Sequence, residues 1–167
     1  VQTSGFPDGH PVQIASESSL AELNARLGKV GIDPITVERF RPNIVVRGKA
    51  PWSEDSWKLV RITGRNAVGI SGDSAGDSGA AIQSPLDLDV VARCARCQVP
   101  NVDPDTALKN KKQPWDTLVS YRRVDEGSKY KPCFGMLSAP RNEGAIEVGM
   151  KLEVLEETTG HRYVAGF

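Results

Sequence analysis

The chain has 167 residues, 39% of them hydrophobic, which is about one domain's worth of sequence and enough apolar side chains to bury one core. Its 21 basic and 21 acidic residues cancel, so no global field recruits nucleic acid or an anionic membrane, and a charged ligand must be held by a local patch. No uncharged apolar run approaches the roughly 20 residues of a bilayer-spanning helix, and three cysteines, an odd number, are too few for a disulfide scaffold and point to a reducing compartment.

The chain begins at Val1 with neither a basic n-region nor an apolar h-region, which reads as a piece excised from a longer protein. Residues 1–11 hold Gly5, Pro7, Asp8, Gly9 and Pro11 and predict a loop, and Val12 to Ala15 predicts a short strand. A helix follows: Ser19 and Glu22 have capping-box spacing, and Leu20, Leu23 and Leu27 share one face that ends before Gly28 and Gly31. From Thr36 to Arg47 the β-branched residues predict extended chain, broken at Pro42, which lacks a ladder donor. Trp57 to Thr63 is apolar on both faces and belongs in a sheet.

Residues 71–85, with GDSAGDSGAA and almost no large side chains, predict a flexible surface loop. Leu86 to Val91 resumes strand character and delivers the chain to Cys94 and Cys97. The turn-rich PNVDPDT and the basic Lys109, Lys111 and Lys112 come next, then a short helix with Pro114 at its first position and Trp115, Leu118 and Val119 on one face. Cys133 to Leu137, Ala145 to Val148 and Leu152 to Leu155 predict short strands in an antiparallel meander. The whole reads as one β-rich α+β domain over residues 1–167, a barrel or folded sheet with a few short helices.

Cys94 and Cys97 form a CxxC pair, but a closed tetrahedral zinc site needs four ligands, and only Cys133, His10 and His161 remain to complete one. On an extended strand, residues three apart point to opposite faces, so one of the two thiols is expected to act while the other is buried. GDSG at Gly76 to Gly79 has the wording of a serine-protease nucleophile segment, yet low-complexity sequence generates such tetrapeptides readily, and a solvated loop is the simpler reading. His10, His161 and the tryptophans Trp52, Trp57 and Trp115 carry no motif spacing. Arg39 and Arg41 lead into Pro42-Asn43, while Arg93 and Arg96 interleave with the cysteines. Guanidinium forks with an amide beside a thiol point to an anionic ligand near a thiolate that binds metal.

Six segments in order, PDGHPVQIASESSLAELNARL (7–27), RFRPNIVVRG (39–48), WSEDSWK (52–58), CARCQVPNVDPDT (94–106), PWDTLVSYR (114–122) and FG (134–135), resemble the MOSC domain, named for the C-terminal part of molybdenum cofactor sulfurases. Within that superfamily FRPN, EDSW, CxRC and NVDPDT look most like the amidoxime-reducing component type, which reduces N-hydroxylated compounds at a molybdenum cofactor. The resemblance implies that Cys97 ligates molybdenum and that Arg41 and Asn43 hold the pterin or its phosphate. It places Ala95 and Arg96 beside the metal, and has Asp103, Asp105 and Thr106 shape the adjoining turn, with Asp103 and Thr106 counted among the cofactor-binding residues. Cys94 is packing or second in line.

The resemblance also implies an N-terminal β-barrel-like domain in the longer protein, electrons from a b-type cytochrome and its flavin reductase, and an intracellular setting, cytoplasmic or mitochondrial. Where relatives commonly have glycine after DPDT, this chain has Ala107. Two other readings stand beside the reductase: the C-terminal domain of a cofactor sulfurase, whose pyridoxal phosphate domain would lie elsewhere, and a noncatalytic cofactor carrier.

Overall fold

Six strands and two α-helices form in residues 10–64 and 84–162, the residues that the computed structural model describes. In chain order they are β1 (Val12–Ser16), α1 (Glu17–Lys29), β2 (Ile44–Val46), β3 (Trp57–Thr63), β4 (Leu86–Ala95), α2 (Trp115–Tyr121), β5 (Cys133–Pro140) and β6 (Lys151–Glu157). The strands build one sheet in the order β2-β1-β5-β4-β3-β6, curled into a half-barrel. The β-rich α+β class read from the sequence is therefore what the chain adopts.

Alternation divides the apolar residues between two faces of this sheet. Ile14, Trp57, Val60, Leu88, Val90 and Met136 pack on one side. On the other, Leu23 and Leu27 of α1 and Leu118 of α2 cover Ala15, Phe40 and Phe134, with the rings of Phe40 and Phe134 stacked 3.8 Å apart. Gly135 lets β1 and β5 close up. Its φ is +76°, and a Cβ there would lie 2.7 Å from the Ile14 carbonyl oxygen, so only glycine fits.

The connectivity differs from a meander. β2 runs parallel to β1, joined through the α1 crossover, and β5 inserts between β1 and β4, antiparallel to both. Parallel neighbours need such a crossover. Residues 145–148 form no strand, and Ile146 and Val148 stay exposed. The extended chain expected from Thr36 to Arg47 is instead a single-turn helix, Val37–Phe40, followed by the short β2 after Pro42.

The α1 capping box is also replaced. The helix starts two residues before Ser19, with Ser16 at the N-cap and no side-chain cap bond. The Ser19 hydroxyl donates to Glu54 Oε1 at 2.5 Å and accepts from the Trp52 backbone N–H at 2.8 Å, so it serves a tertiary contact. Glu22 accepts from Trp52 Nε1 and the Tyr121 hydroxyl. Pro114 sits one position earlier than expected, at the N-cap of α2. The segment read as a flexible loop at 71–85, including GDSG, lies outside the described residues up to residue 83.

Candidate functional site

Strand β4 is longer than its sequence pattern suggested, running to Ala95, which pairs with Cys133 of β5. The chain then turns, and Cys97 emerges exposed while Cys94 is buried. One thiol of the pair is thus buried, and the turn after Ala95, rather than strand alternation alone, is what exposes the other. The third thiol is set apart: burial, with the Asp125 carboxylate adding to it, pushes Cys133 up to about 12, so it stays protonated at neutral pH. Among the described residues no three His, Cys, Asp or Glu side chains gather as a metal cluster.

Two bridges tie the neighbouring loops to this turn. Arg96 is buried: its Nη2 donates to the Phe40 carbonyl at 2.6 Å, and its Nη1 to Gln13 Oε1 at 3.0 Å and Cys94 Sγ at 2.9 Å. Arg39 Nη2 reaches Asp103 Oδ2 at 2.5 Å, joining the RFRPN segment to VDPDT. Arg41 follows Phe40 directly. It is exposed and sits at φ 55°, a left-handed conformation unfavourable for a side-chain-bearing residue and more so before a proline. No ion pair engages its guanidinium among the described residues. Asn43, which is exposed, accepts from the Gln13 backbone N–H at 2.7 Å and returns its own backbone N–H to the Gln13 carbonyl.

The VDPDT turn organises itself. Asp103 Oδ1 accepts from the backbone N–H groups of Asp105 and Thr106, both at 3.0 Å. These bonds, first that from Thr106, hold its carboxyl below the usual range, with Arg39 helping. Ala107 closes the turn at φ 59°. Asn101, fully buried, accepts from Trp115 N–H and so pins α2 to the same loop.

Arg41, Asn43, Ala95, Arg96, Cys97, Asp103 and Thr106 thus lie on three segments cross-linked by Arg96 and Arg39. The site candidates overlooked in the sequence are Gln13 and Asn101, whereas Arg39, read there as part of an anion-binding arginine group, pairs with Asp103. A glutamine in the otherwise apolar VQIA strand was the available signal. A separate shallow cavity of about 340 Å³ is lined by Val12, Ile44, Leu86, Leu88 and Ile146 among others, and Asn43 is the single site candidate on its wall.

A curled, β-rich sheet whose fourth strand leads into a turn carrying an exposed cysteine, tied through Arg96 to the segment that opens an arginine–proline–asparagine turn, is the frame these candidates share. The family model for the MOSC domain matches residues 2–153, and the chain belongs to that family. It is 34% identical over 148 residues to the mitochondrial amidoxime reducing component 2 of Bos taurus, covering 86% of this chain and 37% of that protein. With the mitochondrial amidoxime-reducing component 1 of Homo sapiens it shares 36% identity, covering 86% of this chain and 36% of the relative. The chain spans little more than a third of the length of these curated relatives. No helix among the described residues is long and apolar enough to cross a membrane.

Proposed function

We propose that this chain, residues 1–167, is a single MOSC domain that binds the molybdenum cofactor within a longer oxidoreductase acting on N-hydroxylated, amidoxime-type substrates. The observation that carries the reading is an exposed Cys97 on a turn that Arg96 ties to Phe40, the residue before Arg41-Pro42-Asn43, in which Arg41 and Asn43 are exposed. The donor set fits the group. A soft thiolate suits molybdenum, and a guanidinium fork with an amide suits the phosphate of the pterin.

When bound, the cofactor supplies the two-electron chemistry by which N–OH becomes N–H, taking up two protons and two electrons and releasing water. The chain's own residues hold and orient. Cys97 supplies the thiolate ligand, and Arg41 and Asn43 hold the phosphate end. Arg39 and Asp103 keep the VDPDT turn, with Thr106, against that loop. The names of the relatives support the substrate class, and their greater length supports a further domain of the same protein as structural partner. Electrons would come from a b-type cytochrome and flavin reductase, in a mitochondrial or cytoplasmic setting.

The test is molybdenum content by elemental analysis of the full-length protein, co-expressed with the cofactor pathway, together with benzamidoxime reduction by a chemical electron donor. Near-stoichiometric metal and turnover are expected for the wild type, and Cys97→Ala should lose turnover and most of the metal. A metal-free wild type sinks the assignment.

A further inference from the structure

Two cysteines three residues apart are rival ligands for one soft metal, and here the guanidinium of Arg96, the residue before Cys97, bonds the sulfur of Cys94. Arg96 is 9% exposed, and among the described residues it pairs with no carboxylate. Its acceptors are neutral or sulfur: Gln13 Oε1 at 3.0 Å, the Phe40 carbonyl at 2.6 Å and Cys94 Sγ at 2.9 Å, while its backbone N–H donates to the Pro132 carbonyl at 2.8 Å. The ring of Phe40 also lies beneath the guanidinium, 5.5 Å from its central carbon. Burying a cation without a counter-ion is costly, so its retention asks for a use.

We infer that Arg96 is a positioning residue that selects the ligand thiol: it ties the Cys94 sulfur into the fold, leaves Cys97 outside, and fixes the Arg41 turn relative to the Cys97 turn through the Phe40 carbonyl. This departs from a direct cofactor contact by the Arg96 side chain, because all three of its acceptors are protein groups. The inference rests on the reading of Cys97 as the metal ligand. Gln13 is the second arm of the clamp, since its side chain receives Arg96 while its backbone is held at both ends by Asn43. One guanidinium therefore communicates with both Arg41 and Asn43.

The experiment uses the full-length protein, with two readouts. In protein prepared without cofactor, native alkylation by iodoacetamide, mapped by peptide mass spectrometry, should modify Cys97 at least about tenfold faster than Cys94, because Cys97 is exposed and Cys94 is buried. Arg96→Gln should shrink that ratio to about threefold or less with the circular dichroism unchanged, and Arg96→Lys should recover part of it. In cofactor-loaded protein, the electron paramagnetic resonance spectrum of the reduced metal should show mixed species in Arg96→Gln and return to one species in Arg96→Gln with Cys94→Ala.

An unchanged alkylation ratio and spectrum in Arg96→Gln overturns the inference. If that variant does not fold, Cys94→Ala decides: molybdenum content at the wild-type level supports the assignment, and its loss overturns it. Should the wild type hold no molybdenum while the alkylation ratio still collapses in Arg96→Gln, the cofactor reading fails and the clamp on Cys94 stands.

Discussion

Arg41 and Ala107 both occupy left-handed backbone without being glycine, at φ 55° and 59°. Such a conformation costs an L-residue roughly 1–2 kcal/mol, part of which glycine returns through its freer unfolded chain. The two residues differ in what the strain accompanies. Ala107 closes a turn already organised by Asp103, and its methyl group adds nothing to the bonds there, whereas Arg41 carries an exposed guanidinium that no ion pair engages among the described residues. Ala107→Gly should therefore raise stability by about 0.5 kcal/mol in urea denaturation and leave molybdenum content alone. Arg41→Gly should raise stability by a similar amount and lower the metal content several-fold, the separation expected where strain serves a site. Equal metal content in the two variants would refute the role of Arg41.

At the scale of elements, the first turn of α1 docks on the single-turn helix Ser53–Ser56 through Ser19 and the fully buried Glu54. Burial raises the Glu54 carboxyl above its ordinary 4.5; the nearby Asp55 adds to this, while the Ser19 hydroxyl and Arg122 oppose it. The folded state then keeps a proton that the unfolded chain releases, so this group's contribution to stability falls as pH rises from below 4.5 through the raised folded value. Glu54→Gln keeps the acceptor for Ser19 without the ionisation. Urea unfolding at stepped pH should show the variant gaining on the wild type as pH rises, and a constant difference would contradict the buried acid.

This contact also shows what the sequence pattern could convey. The helix and its Leu23 and Leu27 face were readable because they depend on local period. Ser19 was misread as a cap because a capping box and a tertiary hydroxyl bridge have the same spelling. Strand alternation suggested that one thiol of the CxxC pair would be buried, and only the family resemblance said which, while Gln13 and Arg39 meet partners 83 and 64 residues away and Arg96 meets Phe40 56 residues away besides the nearby Cys94.

At the scale of the molecule, sheet order was hidden for the same reason: nothing local in Cys133–Pro140 says that it lies between β1 and β4. What helps secure that arrangement is a charged cluster that takes in Arg93, read in the sequence as part of an anion-binding group beside the cysteines and found instead among carboxylates. Arg122, 5% exposed, grips Asp55 with Nη2 at 2.8 and 2.9 Å, donates Nε to the Cys133 carbonyl at the start of β5, and stacks over Trp52 at 3.9 Å. Arg93 of β4 lies between Asp55 and Asp125, at 3.8 and 3.7 Å, and donates to the carbonyl of His161. The end of α2, the start of β5, the turn before β3 and the segment after β6 therefore meet at one cluster. Removing one partner from a buried pair leaves the other charge stranded, a loss of about 3–5 kcal/mol, and the remaining Arg93 near Asp55 should keep this case near the lower end. Arg122→Met is expected to destabilise by about 3 kcal/mol, with tryptophan fluorescence and far-ultraviolet circular dichroism shifting together in denaturant, because the cluster joins α2 to β5, β4 and the turn before β3. Fluorescence falling well ahead of the circular dichroism would instead make the cluster a local latch beside Trp52.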